Sequence, residues 1–211
     1  EGDAFLHNDS YLGNTHSADL TVLVPVFIDG EHMFTACAKA HQADIGNSIP
    51  SSYFVRARDV YEEGALVFPG VRIQRDFKNN EDIMRMCRAR IRVPDQWYGD
   101  YLAGLGSARI AERRLETFCE KYGKETVKAF MREWFDYSER RMIDNIRRLP
   151  KARLVNKGRS DPLEGILPDG LELTVKIDID PDEGNINVDL RDNPPSVDAG
   201  LNTSLGSATS A

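Results

Sequence analysis

Four histidines occur in the 211-residue chain. Two of them, His16 and His41, lie where a short backbone reversal would bring them near one carboxylate, Asp19. The reversal is expected at Asp29-Gly30, between the apolar β-branched run 20–28 and a second run, 33–40. An Asp-Gly pair between two such runs predicts a two-residue type I′ hairpin, because both central residues need positive φ. Counting outward from Ile28 opposite Glu31, His41 falls opposite Ala18, between His16 and Asp19. Opposed Cβ atoms lie roughly 5 Å apart and diagonal neighbours roughly 7 Å. That is short enough for two imidazoles and a carboxylate to converge on one ion about 2 Å from each. Strict alternation puts His16 and His41 on one face and Asp19 on the other, so a site requires an irregular turn within 15–18, which Gly13-Asn14 favours. Two neutral imidazoles with a carboxylate suit Zn, Mn or Fe(II) better than Ca or Mg. Spacing alone leaves open the alternative that both histidines are plain polar residues of a loop and a strand end.

The elements that would position these residues fall into three regions. Residues 1–79 are strand- and loop-rich, with Pro25 expected on an edge or at a non-bonded position and 45–78 as a long, partly ordered connection. Residues 80–150 are helical. Asn80 caps a first helix carrying Glu81 and Asp82 in its opening turn and Ile83, Cys87 and Ile91 on one face, with Pro94 as its stop. Tyr98, Tyr101, Leu105, Ala108, Ala111, Leu115, Phe118 and Tyr122 mark a second helix ending at Gly123. Val127, Phe130, Trp134, Tyr137, Met142 and Ile146 mark a third before Pro150. The aromatics of these helices are expected in the core, and Arg109, Arg113 and Arg114 on an exposed face. Residues 151–211 return to strands, with alternation at Leu171, Leu173, Val175, Ile177 and Ile179 and again at Ile186, Val188 and Leu190, predicting a hairpin with one wet and one buried face. The fold class expected is α+β, antiparallel sheets and hairpins with a bracing helical segment, all three regions belonging to one larger subunit.

Composition narrows the function. A net charge of −7 lacks the basic footprint of a nucleic-acid or anionic-membrane surface, and no apolar run approaches the roughly 20 residues that span a bilayer. Cys37, Cys87 and Cys119 are odd in number and far apart, which predicts buried thiols in a reducing, cytoplasmic setting. Both ends look like cuts through a longer polypeptide. Asp9 and Asp44 are candidates to orient an imidazole or to act as a base; as loop aspartates beside glycine they equally suit Asx turns. His7 and Asn8 are candidates for substrate contact, and His32 is expected in solvent. The acidic stretch 178–182 contains Pro181 and lacks helical flanks, so a solvated hairpin tip is expected rather than a calcium loop. No glycine-rich phosphate loop or nucleophile elbow is present, so the chain offers no ATP site of its own.

Several ordered segments carry a resemblance. Gly2-Asp3-Ala4-Phe5-Leu6-His7-Asn8-Asp9 followed by Gly13-Asn14-Thr15-His16-Ser17-Ala18-Asp19, and then Ala40-His41-Gln42-Ala43-Asp44-Ile45-Gly46, resemble motifs of the hydantoinase B/oxoprolinase family. Asp59-Val60-Tyr61-Glu62-Glu63-Gly64, Arg90-Ile91-Arg92-Val93-Pro94-Asp95-Gln96 and the small-residue loop around Asn202 are similar to later family segments. The resemblance covers the whole chain but only part of a family subunit. It implies His16, Asp19 and His41 as ligands of a divalent metal, aided by a glutamate expected upstream of Glu1. It also implies ATP-dependent opening of a hydantoin- or 5-oxoproline-type lactam ring, with ATP and Mg handled by a hydantoinase A-type partner in a hetero-oligomer. Gln42 is similar to the acetone carboxylase branch, so an α-type subunit of an ATP-dependent ketone carboxylase is the second expectation. A non-catalytic structural module is the third.

Overall fold

The structure, a computed structural model, describes residues 1–210. It is α+β, with two antiparallel sheets and accompanying helices. The chain divides into two compact units, residues 1–123 with the segment from Val197 onward, and residues 124–196.

The first unit holds a five-stranded sheet in the order β3 (Glu31–His41), β2 (Asp19–Ile28), β1 (Ala4–His7), β4 (Val71–Arg75), β5 (Lys78–Asn79). Strands β2 (Asp19–Ile28) and β3 (Glu31–His41) form the expected hairpin, with Asp29 at φ 51° and Gly30 at φ 77°, the two positive values a type I′ turn demands. The register departs from the simple count. Phe27 pairs with His32, but the next pair is Val26 with Phe34, leaving Met33 as an extra residue on β3. This bulge moves the rest of the ladder by one place, so that Asp19 sits directly opposite His41. The expected pairing of His41 with Ala18 is therefore corrected, and with it the expectation that Asp19 faces away from His41. A one-residue change of register exchanges the faces of a strand.

Pro25 lies on an inner strand, so of the two expected placements it is the position without a bonded neighbour on the β1 side, not the edge, that fits. β1 (Ala4–His7) is short and pairs with β2 only at residues 21–23, so the neighbour ends before Pro25. The connection 45–78 also contains more structure than expected: a one-turn helix α1 (Val60–Glu63) and a hairpin of β4 (Val71–Arg75) and β5 (Lys78–Asn79), with β4 paired to β1. Its turn uses Asp76 and Phe77 at φ 51° and 63°, non-glycine residues in the left-handed region, and so carries no glycine to announce it.

Helix α2 (Glu81–Arg90) begins at Asn80, whose side chain accepts from the Asp82 amide at 3.1 Å, and buries Met84 and Cys87. Pro94 opens the next helix as much as it ends this one: α3 (Pro94–Tyr122) carries it at the first position, where a missing N–H costs nothing. α3 lies across β2 and β3 and adds Trp97, Tyr101, Leu105 and Ala108 to a core built from Leu6, Leu20, Val22, Val24 and Val26. Each such fully buried aliphatic side chain contributes roughly 1.5–3 kcal/mol. Arg109 is not on an exposed face. It is 8 % exposed, donates to Glu112, to the Gly2 and Asp3 carbonyls and to Gln74 Oε1, and lies over the Phe77 ring. A guanidinium supplies five donors, and here the N-terminal segment and the β4–β5 hairpin use them.

The second unit comprises α4 (Lys124–Ile146) and a sheet with β7 (Glu172–Asp180) between β6 (Ala152–Arg159) and β8 (Asn185–Asp189). β6 is an element beyond the expected hairpin. Of the α4 positions expected in a core, Val127 and Ile146 are buried, whereas Phe130, Trp134, Tyr137 and Met142 are exposed. Leu154, Val155, Leu173 and Val188 are exposed as well, so neither face of this sheet is buried as expected. At the hairpin, Asp178 pairs with Arg153, and Asp180 and Asp182 pair with Lys151; these carboxylates serve exposed ion pairs. Among the described residues, no helix is long and apolar enough to cross a membrane.

Candidate metal centre

The loop before β2 is held from several sides. Asn8 follows β1 and is fully buried; its Nδ2 donates to the carbonyls of Ser17 at 2.7 Å and Leu66 at 2.9 Å, and its Oδ1 accepts from the Phe68 amide at 2.6 Å. Asp9 caps a 3₁₀ turn (Ser10–Leu12) by accepting from the Tyr11 amide. Asn14 donates to the carbonyls of His16 at 2.8 Å and Asp19 at 3.0 Å, while the Asp19 amide donates to the His16 carbonyl. The Gln42 amide donates to the Ala18 carbonyl, tying the loop to the end of β3. Buried backbone groups must be paired, and these partners leave the 14–19 turn little freedom.

The result is a convergence of three side chains. His16 Nδ1 stands 3.1 Å from Asp19 Oδ2, and His41 Nδ1 stands 3.0 Å from Asp19 Oδ1. The two imidazole centroids are 5.0 Å apart. One ligand atom from each of the three residues lies within 4.8 Å of the others, the single such grouping of His, Cys, Asp and Glu among the described residues. Ligand atoms about 2.1 Å from a shared ion in tetrahedral geometry are about 3.4 Å apart, close to the two N···O separations. The donor set of two nitrogens and one oxygen fits Zn, Mn or Fe(II), and partial exposure of both imidazoles leaves room for further ligands. Burial raises the Asp19 carboxyl, but hydrogen bonds from Thr15 and His41 and the charges of His16 and His41 outweigh it and hold it below the usual carboxylate range.

The other expected residues are dispersed. Asp44 is buried and accepts from the amides of Gly46 and Arg92 and from the Arg92 guanidinium, so its carboxylate is committed to an ion pair. Asp9 is committed to its cap and Asn8 to three backbone groups. His7 pairs with Thr21 and shares with it the sheet face that carries Asp19 and His41. His32 is exposed and bonds Thr35. Gln42 is buried and turns its amide to the Ala40 carbonyl.

Several neighbours were not anticipated. The Thr15 hydroxyl donates to Asp19 Oδ2 at 2.5 Å and accepts from Lys39 Nζ at 3.2 Å. Tyr53 presents a T-shaped contact to the His16 ring, with centroids 6.2 Å apart. Glu63, at the end of α1, accepts from Ser17 Oγ at 3.3 Å. Burial, and then the Glu63 carboxylate, raise the Tyr53 phenol above its ordinary range and keep it protonated. Lys39 was legible by its two-residue spacing from His41; nothing in the sequence ties residues 53 and 63 to this loop.

Comparison with known proteins identifies the family of the chain. The provisionally named B component of a D-/L-hydantoinase from Pseudomonas sp. (strain NS671) is 33 % identical over 199 residues, covering 93 % of this chain and 33 % of that protein. The crystal structure of the ATP-dependent caprolactamase from Pseudomonas jessenii superposes with a TM-score of 0.86 at 27 % identity, covering all of this chain and 35 % of that one. The nucleotide-free acetone carboxylase structure shares the fold, with a TM-score of 0.90 at 18 % identity over 99 % of this chain and 29 % of that one. The chain thus spans about a third of the length of the proteins it matches. A model of the Hydantoinase B/oxoprolinase family matches residues 1–211, from the Asn8 and Asn14 braces to the loop around Asn202, and the chain belongs to that family.

Proposed function

We propose that this chain carries the metal centre of a subunit that opens cyclic amides, of the hydantoin or 5-oxoproline type, after ATP-dependent activation. The observation that carries the proposal is the convergence of His16, Asp19 and His41 on one face of the sheet, in a family named for hydantoinase and oxoprolinase activity. An unstrained amide is a poor electrophile, and transfer of a phosphoryl group to its oxygen supplies a leaving group. That transfer is assigned to a hydantoinase A-type partner that uses ATP and Mg. The hydantoinase and caprolactamase relatives are each named as one component of a larger assembly, which supports a hetero-oligomer. Here His16, Asp19 and His41 would hold a divalent ion, which would supply polarisation of the activated group or the attacking water. Asp19, kept ionised, supplies the negative ligand. Tyr53, kept protonated beside His16, can donate a hydrogen bond at the rim. The free thiols Cys37, Cys87 and Cys119 suit a cytoplasmic setting.

The test has two arms. Elemental analysis of the wild-type chain and a His16→Ala/His41→Ala variant should show near-stoichiometric metal only in the wild type; equal content would refute the site. With the partner present, cyclic amides should stimulate ATP hydrolysis without bicarbonate. A strict bicarbonate requirement would select ketone carboxylation instead.

A further inference from the structure

We propose that Lys39 is the anion-recognising residue of this site and takes the phosphoryl group of the activated substrate; this deepens the ring-opening reading and rests on it. Side chains alternate along β3, so Lys39 shares its face with His41, and it stands opposite Thr21, diagonal to Asp19. Its ammonium is held beside the cluster through Thr15, whose hydroxyl accepts from Nζ and donates to Asp19. An ammonium has three donors, and Thr15 uses one.

The ordinary alternative is a solvated lysine on an exposed strand. Two observations weigh against it. Lys151, Lys157 and Lys176 of the second unit each pair with carboxylates, whereas among the described residues no carboxylate pairs with Lys39, whose Nζ donates to Thr15 instead. The second is electrostatic. Two neutral imidazoles and one carboxylate would leave a divalent ion with one net positive charge, and the glutamate expected upstream of Glu1 would at most cancel it. With the Lys39 ammonium one hydrogen-bonded side chain away, the site then keeps a net positive charge in either case, which favours an anion. A phosphorylated amide oxygen brings that anion, in reach of both the cluster and the two free donors of Lys39.

The experiment titrates inorganic phosphate into the zinc-loaded chain, wild type, Lys39→Met and Lys39→Arg, with zinc content measured on the same samples. Lys39→Met should bind phosphate about tenfold more weakly with zinc content unchanged, the loss of one charge-assisted contact, and Lys39→Arg should stay within about threefold of wild type. Equal affinity in wild type and Lys39→Met overturns the proposal, as does an absence of phosphate binding in the wild type. So does loss of zinc together with phosphate in Lys39→Met, which makes Lys39 a strut for Thr15. A wild type that takes up no zinc refutes the metal reading, and the same titration on the zinc-free chain then decides Lys39 separately, equal affinities again overturning it.

Discussion

Asn8→Asp is the sharpest probe of how the 14–19 loop is held. The substitution is isosteric, so packing around this fully buried position is preserved, but it replaces the Nδ2 donor that bridges the Ser17 and Leu66 carbonyls at 2.7 and 2.9 Å. The introduced carboxyl can restore one of the two bonds by taking up a proton. Raising its pKa from about 3.9 to 7 costs roughly 4 kcal/mol at neutral pH, at 1.36 kcal/mol per unit. The second carbonyl stays unpaired for about 1–3 kcal/mol more. The total at pH 7 is about 5–7 kcal/mol, comparable to the whole stability of many domains. The sign follows from linkage. A carboxyl whose folded pKa lies above its unfolded value stabilises fully below the unfolded value and loses that contribution as pH rises through the folded one, so acidification narrows the gap to wild type. Between pH 7 and pH 5 about 3 kcal/mol should return. Urea unfolding followed by the fluorescence of buried Trp97 measures the difference at each pH, and zinc uptake should weaken in parallel because Ser17 lies between two of the proposed ligands. A gap under about 1 kcal/mol at both pH values, or one that widens on acidification, would show that the bracing argument is wrong.

Arg109→Met should cost about 3–5 kcal/mol by leaving Glu112 buried without its cation, a fall of about 10 °C in Tm; Arg109→Met/Glu112→Leu should recover at least half, and a double variant no better than the single would refute the buried-pair account. Native thiol titration at pH 8 should find fast reaction at exposed Cys37 alone, because burial pushes the Cys87 thiol up to about 12 and also raises buried Cys119, and the thiolate is the nucleophile; a second equivalent at the same rate would contradict this. By the same linkage, Cys87 contributes stability that is complete below pH 9.0 and lost as pH rises toward 12. Deleting Met33 should remove the bulge and leave every pair from Val26 with Phe34 to Asp19 with His41 intact, so zinc content should be unchanged and stability should fall by under about 1 kcal/mol; loss of zinc would mean that the bulge itself shapes the site.

Where local chemistry specifies structure, the sequence reading agrees with the fold. Asp29-Gly30 makes its turn because glycine tolerates positive φ, and Asn80 makes its cap because a short amide reaches the first-turn amides. Asp76-Phe77 makes an equivalent turn without such a marker, held there by the burial of β4 against β1 and by the Arg109–Phe77 contact, both long-range. The site shows the same division. The residue types of His16, Asp19 and His41 state the chemistry, yet their register cannot be counted from the turn, because Met33 adds one residue to β3 that periodicity does not reveal. Tyr53 and Glu63 reach the loop through a connection whose path is set by tertiary packing. The α4 pattern failed differently: a 3.6-residue apolar stripe states that a face suits burial, and Phe130, Trp134 and Tyr137 have that face without a cover in this chain.

The segment from Val197 onward rejoins the first unit after the 124–196 excursion. There Ser204 Oγ donates to the Asn14 carbonyl at 3.1 Å, and Gly206 packs so tightly on Gly13 that a Cβ would fall 2.7 Å from its carbonyl oxygen. During synthesis the ribosome delivers His16, Asp19 and His41 long before it delivers Ser204. In a nascent chain this side of the 13–19 loop therefore stays uncovered until residues 204–206 arrive, so the final shape of the loop is set late in synthesis.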